Sequence, residues 1–391
     1  MVDPSKRQKL SGALGPIRIL LGIAIFLSCS CLVRNALAQT NVKGGIIRPK
    51  VVVVVYFEVG KDTDDTPGEL QFWVERDHLD RVIDVPGMSR SIRANANGSE
   101  VAMVVGPGNI WPGVNLMAFG LDPRFDLRKS YWLLNGIAGV PPKEVPLASA
   151  IWTDYVVNGD LLHEIDPREM PSDWPDGFYS LDATKPDEPP DVPPGSEGDV
   201  RNWPKDGAHS NGNGAVVRLN PALLQWAFEL TRELKLPSND QMRALAARYK
   251  GYPAAQQPPR VLVGANLAGE TFWHGAKMDE WAHRWVRYST NGQASFASTA
   301  MNDSGSMAAL AALTRAGRAD WNRALVLRTG SNFDMQAPGE TAEQSANRER
   351  HGEYTAYEPS LESAYLVGSQ VVKALIAGWK QYEGTIPGAS K

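Results

Sequence analysis

Short continuous apolar runs alternate along the chain with longer stretches of helical periodicity. A continuous run is typical of a strand buried on both faces, because a half-exposed strand alternates apolar with polar positions. The stretches between the runs repeat apolar residues at the spacing of helices that pack on a sheet. The predicted strands cover residues 51–57, 101–105, 131–134, 147–154, 260–264 and 323–329. The predicted helices include residues 115–119, 221–235, 238–250, 278–285, 303–316 and 359–383.

This alternation predicts an α/β fold in which a parallel or mixed sheet is covered by helices on both faces. The region 298–337 is the most informative part of the pattern. It predicts a helix capped by Asn302 or Asp303 and stopped by Gly317, then a buried strand and the polar turn 331–334. Polar side chains should therefore gather at the carboxyl ends of two strands, where open α/β sheets usually bind ligands.

The first 38 residues have a different pattern from the rest of the chain. A basic start is followed by the apolar run 19–33 and by the small-residue signal Ala36-Leu37-Ala38. This order predicts a secretory signal peptide cut after Ala38. An uncleaved N-terminal anchor, or a lipoprotein attached through Cys29, are the alternatives.

Cleavage would change the composition of the mature protein. Both cysteines, Cys29 and Cys31, lie in the removed segment, so disulfide and thiol chemistry would be excluded. Five basic residues and one acidic residue would leave with it, taking the net charge from −4 to −8. No later run is long and apolar enough to cross a bilayer. We therefore expect a soluble, acidic, exported protein of the periplasm, and the lack of a basic stripe argues against nucleic acid.

The remaining residues, 39–391, are predicted to form a single domain with one long excursion. Residues 171–214 are rich in Pro, Asp and Gly, a composition that buries little apolar surface. We expect this segment to be an irregular surface insertion. Trp174, Phe178 and Trp203 could pin it to the domain or help cover a site.

Familiar catalytic signatures are absent from the sequence. His274 and His283 are nine residues apart, which is no zinc spacing, and no G-x-S-x-G elbow occurs. Gly106-Pro107-Gly108 is only a weak phosphate loop, because Pro107 lacks an N–H donor. We expect no metal and no cofactor.

Six motifs in order resemble the purine nucleoside permease family, which is distantly similar to the nucleoside phosphorylases and nucleosidases. The similarity spans roughly residues 48–380 and is specific as a set, although each motif alone is weak. It implies the three-layer mixed sheet of the phosphorylases, with phosphate as a co-substrate if the chain is phosphorolytic. The motifs are VVVVVYFE (51–58), GPGNIWP (106–112), NGIAG (135–139), GETF (269–272), MNDSG (301–305) and RTGSNFD (328–334).

The resemblance implies roles at the purine base. Phe272 would pack against the purine, with a core Phe as the alternative. Asn332 would hydrogen-bond the base edge near N7, since an amide both donates and accepts, or would only stabilise its turn. Asp334 is the other candidate for this base contact, and Glu58 matches a position that helps to activate water in hydrolytic relatives.

The resemblance also implies roles at the sugar and the nucleophile. Met301 would lie under the ribose, and Asn302 replaces the glutamate that usually binds ribose hydroxyls. Asp303 would take over that contact, or sugar binding would differ. Arg90 and Arg93 are phosphate candidates, although arginines on a solvated turn are commoner. The residues expected to face the nucleophile and ribose are Gly106, Gly108, Asn109, Asn135 and Gly136.

Two functions follow from this resemblance. The first is an exported enzyme that cleaves the N-glycosidic bond of purine nucleosides by phosphorolysis or hydrolysis and so supports uptake. The second is a non-catalytic nucleoside-binding component that feeds an inner-membrane transporter. The sequence leaves the purine, the nucleophile and the oligomeric state open, a homo-oligomer included.

Overall fold

The computed structural model describes residues 45–181, 183–188, 216–348, 351 and 354–389. The predicted signal peptide and most of the predicted insertion lie outside the described residues. Contacts divide the chain into a unit ending at Ile46 and a unit from Ile47 onward. All the elements described below belong to the second unit.

The helices and strands follow each other in an α/β order. The strands are β1 (Val51–Val55), β2 (Arg81–Ile83), β3 (Ile92–Ala94), β4 (Glu100–Val104), β5 (Tyr131–Val140), β6 (Ala150–Asn158), β7 (His163–Glu164), β8 (Phe178–Tyr179), β9 (Val216–Arg218), β10 (Val261–Ala268), β11 (Phe296–Ala300) and β12 (Ala324–Phe333). The helices are α1 (Gln71–Arg76), α2 (Ile110–Leu121), α3 (Pro221–Thr231), α4 (Asp240–Ala246), α5 (Ala276–Ser289), α6 (Asp303–Arg315), α7 (Ala342–Ala346), α8 (Tyr357–Ala377) and α9 (Trp379–Tyr382).

One mixed sheet organises the fold, in the order β11-β10-β6-β12-β5-β1-β4-β3-β2, with β9 beside β6. Strands β12, β5, β1 and β4 run parallel, whereas β6 is antiparallel to β12. Thr299 of β11 also bridges Gly139 of β5, so five strands close on themselves at one end. The predicted mixed sheet is confirmed, while this closure was not foreseen.

Helices cover both faces of the sheet, as the apolar runs predicted. The first face carries α2 and α6, and its core includes Phe119, Trp132 and Leu310. The second carries α1, α3 and α8, with Trp73 and Trp152 in its core. The five valines of β1 are fully buried and point alternately into the two cores, which explains the unbroken apolar run.

Several boundaries differ from the sequence prediction. The run 51–57 ends as a strand at Val55, and the undecided region after Leu70 is the helix α1. The short strands β2 and β3 were missed because β2 is largely exposed and carries no apolar run. Gly317 ends α6 with a φ of 67°, as predicted. The predicted cap was wrong, because Asn302 occupies the N-cap position without a side-chain capping bond.

Part of the predicted insertion is described. Residues 171–181 include β8, which pairs with β7 in a separate two-stranded sheet. The Phe178 ring packs 4.9 Å from the Trp281 ring of α5, and Trp174 contacts Tyr179. Two of the three aromatic residues expected to anchor the segment, Trp174 and Phe178, therefore make ring contacts. Trp203 lies outside the described residues. In the part of the chain that the structure describes, no helix is both long and apolar enough to span a bilayer.

Helices α2 and α6 approach each other closely at Gly305. A Cβ at this glycine would lie within 3.0 Å of three backbone atoms of Asn109. We expect Gly305→Ala to lower the free energy of unfolding by about 1–3 kcal/mol, because the backbone must shift. Urea denaturation would measure the loss. Gly384→Ala, where a Cβ meets only one atom at 4.0 Å, is the control and should change stability by less than about 0.5 kcal/mol. Equal stability of both variants would contradict the close approach.

Candidate functional site

A buried ion pair joins the two halves of the region that the sequence singled out. Arg328 of β12 and Asp303, the first residue of α6, are both fully buried. The guanidinium donates from Nε to Asp303 Oδ2 at 2.9 Å and from Nη2 to Oδ1. Such a bidentate pair satisfies both charges where water is absent. Two motifs of the region 298–337 therefore meet at one point.

Further polar groups surround the Asp303 carboxylate. The Tyr56 hydroxyl donates to Oδ1 at 3.0 Å, and Asn266 Nδ2 donates to Oδ2 at 2.7 Å. Ser298 Oγ donates in turn to Asn266 Oδ1 at 3.0 Å. Burial, and then the nearby Asp303 charge, raises the pKa of Tyr56 well above its ordinary value. Asp303, a predicted ligand of ribose hydroxyls, thus directs its carboxylate into this buried network.

Glu69 is a buried carboxyl group that sequence reasoning missed. Its Oε2 accepts the Tyr56 N–H at 2.7 Å, and its Oε1 accepts the Ile137 N–H at 2.8 Å. Burial raises the pKa of Glu69 to about 7, although the Arg328 guanidinium opposes the shift. Glu69 lies just before α1, and its carboxylate reaches the N–H of Tyr56, the residue after β1, and the N–H of Ile137 within β5. No sequence signal separates Glu69 from the other acids of the turn 58–69.

Gly136 of β5 allows Glu69 and Arg328 to approach each other. A Cβ at Gly136 would lie within 3.0 Å of both Glu69 Oε1 and Arg328 Nη1. Among the described residues, Arg328 Nη1 has no hydrogen-bond partner. A carboxylate and an unsatisfied guanidinium N–H therefore flank the same glycine. Asn135, the preceding residue, points to the other face and donates to the Ala364 carbonyl of α8 at 3.2 Å, away from Glu69 and Arg328.

Glu58, the predicted water-activating residue, organises the turn that carries Glu69. Its carboxylate accepts the N–H groups of Leu70 and Gln71 at 2.7 Å each, and also those of Val59 and Gly68. Burial raises the pKa of Glu58, and these N–H donors oppose the shift. Glu58 therefore caps α1 and closes the turn, whereas Glu69 is the carboxyl group beside Arg328.

Phe272 and Asn332 line one cleft beside the end of β12. The cleft is narrow and has a cavity volume of about 20 Å³, which is room for roughly one water molecule. Phe272 is 59% exposed, so its ring is free to pack on a ligand. The half-buried Asn332 accepts from Ser331 Oγ at 3.0 Å and donates to its neighbour's carbonyl at 3.2 Å. The remaining lining residues are Leu245, His274, Ser331, Phe333, Ser345, Ala346, Arg348, Tyr354 and Thr355.

A row of aromatic rings leads from this cleft toward the Glu69 turn. The Tyr354 hydroxyl donates to Ser331 Oγ at 2.8 Å, and the Tyr354 ring lies 5.0 Å from that of Tyr357. Tyr357 lies 6.4 Å from Phe57 and donates to the Pro67 carbonyl at 2.8 Å. Burial and the nearby carboxylates of the turn raise the pKa of Tyr357 to about 12. This aromatic wall, Phe57, Tyr354 and Tyr357, connects the two groups of polar residues.

Asp334 lies outside the cleft lining and is buried. Neither carboxylate oxygen has a hydrogen-bond partner among the described residues. Burial, and then the charge of Asp279, raises the pKa of Asp334 well above its ordinary value. Met301 is half-buried and Asn302 buried, both just before α6. Within the described parts of the chain, no group of three or more His, Cys, Asp or Glu could hold a metal ion.

The predicted nucleophile loop, which contains Gly106, Gly108 and Asn109, packs against the start of α6. Asn109 Oδ1 accepts the Gly305 N–H at 2.9 Å. The loop glycines have φ values of 91° and 74°, which side chains rarely adopt. The candidate phosphate ligands Arg90 and Arg93 instead both pair with the Asp62 carboxylate, at 2.6 and 2.7 Å.

The comparisons with known proteins identify the family. The family model described as purine nucleoside permease (NUP) matches residues 48–387. The chain belongs to the purine nucleoside permease family. It is 26% identical over 305 residues to a probable purine nucleoside permease of Schizosaccharomyces pombe, covering 77% of this chain and 82% of that protein. It is 25% identical over 360 residues to a purine nucleoside permease of Candida albicans, covering 90% and 81%.

Solved structures give a more distant comparison for this member of the purine nucleoside permease family. The futalosine hydrolase of Helicobacter pylori is 12% identical with a TM-score of 0.47, covering 83% of this chain and 98% of that one. The 5'-methylthioadenosine/S-adenosylhomocysteine nucleosidase of Streptococcus pneumoniae is 13% identical with a TM-score of 0.46, covering 83% and 99%.

The buried ion pair should dominate the stability of this region. Asp303→Ala leaves the Arg328 charge buried without its partner, so we expect the free energy of unfolding to fall by about 3–5 kcal/mol. Asp166→Ala removes an exposed partner of Arg168 and should cost less than about 1 kcal/mol. Chemical denaturation of both variants would measure the difference. Similar losses would show that the buried pair contributes no more than a surface pair.

Proposed function

We propose that this protein is an exported enzyme that hydrolyses the N-glycosidic bond of purine nucleosides. Glu69 supports the proposal most directly. A carboxyl group with a pKa of about 7 is partly ionised at neutral pH and can still accept a proton, which suits a general base. We propose purine nucleosides as the substrates because the relatives are named purine nucleoside permeases. Export rests on the sequence pattern of the first 38 residues.

The proposed reaction uses water, Glu69, and the Phe272 and Asn332 side chains of the cleft. Glu69 takes a proton from water while the water oxygen forms a bond to C1′ of the ribose. The C1′–N9 bond breaks, and its electron pair leaves with the purine. The Asn332 amide donates a hydrogen bond to N7, where negative charge develops. Solvent protonates the released purine, and Glu69 returns its proton to solvent. Phe272 and the aromatic wall hold the flat base by stacking.

A non-catalytic binding role is the second candidate, and one observation favours it. The ribose clamp expected at the start of α6 is incomplete, because Asn302 is an amide and the Asp303 carboxylate is bound by Arg328, Tyr56 and Asn266. A protein that only binds nucleosides and passes them to an inner-membrane transporter does not need to activate the sugar for bond cleavage. Tight binding of inosine in calorimetry, with no free base in the same sample by chromatography, would favour this role.

Replacement of Glu69 tests the enzymatic proposal. Glu69→Gln removes the base, so we expect at least about a 10²-fold loss of kcat for release of hypoxanthine from inosine. In the wild type, kcat should rise with pH through about 7, since only the ionised carboxylate accepts a proton. Chromatography of the released base would measure both effects. Glu233→Gln, at a side chain that is 89% exposed, is the control and should retain full activity. Full activity of Glu69→Gln would remove Glu69 from the reaction.

Replacement of Asn332 tests the base contact. Asn332→Asp exchanges a group that donates and accepts for one that only accepts, which suits the amino group of a 6-aminopurine. We expect the kcat/KM ratio of adenosine to inosine to rise about tenfold. Initial rates with both nucleosides would measure the ratio. An unchanged ratio would place the purine elsewhere.

A further inference from the structure

The start of α2 holds a carboxylate from another part of the chain. Glu270, in the loop after β10, places its Oε1 at 2.8 Å from the Asn109 N–H and 3.1 Å from the Ile110 N–H, and both atoms donate to it. The same oxygen lies against Gly108, where a Cβ would be 3.3 Å away. Glu270 therefore occupies the position at a helix N-terminus where a bound anion would sit.

A second carboxylate reinforces this arrangement. Asp160 Oδ2 accepts the Glu270 N–H at 2.7 Å and the Asn109 side-chain amide at 3.3 Å. Burial, and then the Glu270 charge, raises the pKa of Asp160, opposed by the hydrogen bonds it accepts. Two acidic side chains thus lie at the loop that the sequence resemblance associated with the nucleophile. A phosphate dianion at this place would meet like charge from both of them.

The two arginines considered as phosphate ligands are engaged elsewhere. Arg90 and Arg93 are both bonded to Asp62, as described above. Pro107 contributes no N–H to the loop. Two of the backbone donors at the start of α2, the Asn109 and Ile110 N–H groups, are already used by Glu270.

We propose that Glu270 is a specificity-determining residue that excludes phosphate, so that the proposed cleavage uses water and yields free ribose. The inference deepens the proposed function and rests on it for the identity of the product. The exclusion of phosphate is a separate property of the loop, and it can be measured without nucleoside.

Two measurements on the full mature chain test the inference. Calorimetric titration with inorganic phosphate, at up to about 10 mM, should give no binding heat for the wild type. Glu270→Ala frees both N–H groups and removes the charge, and it should bind phosphate at least about tenfold more tightly than the wild type. Glu270→Gln removes the charge but keeps a hydrogen-bond acceptor. Its affinity for phosphate should therefore rise less than that of Glu270→Ala. Glu233→Ala should behave as the wild type.

The second measurement is product analysis of inosine cleavage in phosphate buffer. Ribose without ribose 1-phosphate from the wild type is the expected result. Ribose 1-phosphate, or phosphate binding by the wild type, would overturn the inference. Rejection of phosphate by both Glu270 variants, with unchanged thermal unfolding, would also overturn it. If no sample releases base, the proposed hydrolysis fails, while the phosphate titration still decides the role of Glu270.

Discussion

The structure around the candidate site depends on the pairing of Arg328 with Asp303. Two fully buried charges are expensive to remove from water, and this pair is compensated by bidentate geometry and by the hydroxyl and amide groups that complete the carboxylate. Its members and neighbours come from β12, α6, β1 and β10, so the pair fixes these elements relative to one another. The same contacts remove Asp303 from solvent, so the proposed hydrolysis must use another acid near the strand ends.

That acid is Glu69, and its ionisation depends on the same guanidinium. Burial alone would keep a carboxyl group protonated, whereas the nearby Arg328 charge and two backbone N–H donors favour the carboxylate. The balance places the pKa at about 7. Gly136 makes the approach possible, because any side chain at that position would occupy the space between the two groups. Ion pair, glycine and carboxyl group therefore act as one unit, and Glu58 contributes by holding the turn from which Glu69 projects.

The sequence predicted the layers of this fold better than it predicted the site. Continuous apolar runs such as the five valines of β1 require burial on both faces. Strands and covering helices could therefore be inferred from the pattern of apolar positions alone. The polar groups of residues 301–305 and 328–334 were expected near strand ends, although β12 continues to Phe333 and contains residues 328–333. The partners were not predictable, because no local signal shows that the Asp303 carboxylate turns inward to Arg328 and not outward to a ligand. Glu58 and Glu69 lie in one acidic turn, and only the path of that turn shows which of them reaches Arg328. The antiparallel direction of β6 and the bridge from β11 to β5 depend on long-range pairing that has no local signal.

The arrangement of acids favours recognition of the base over recognition of the sugar. The start of α6 offers an amide and a sealed carboxylate, and the start of α2 is filled by Glu270. The Asp303 carboxylate is thus bonded to protein partners, and Glu270 takes two N–H groups that a phosphate would need. The exposed Phe272 ring, the half-buried Asn332 amide and the aromatic wall remain, and all three suit a flat, uncharged, hydrogen-bonding heterocycle. In such a site, specificity for the purine would come from stacking and the base edge, while the sugar would be held mainly by its attachment to the base. Differences in the sugar should then matter less for binding than differences in the purine.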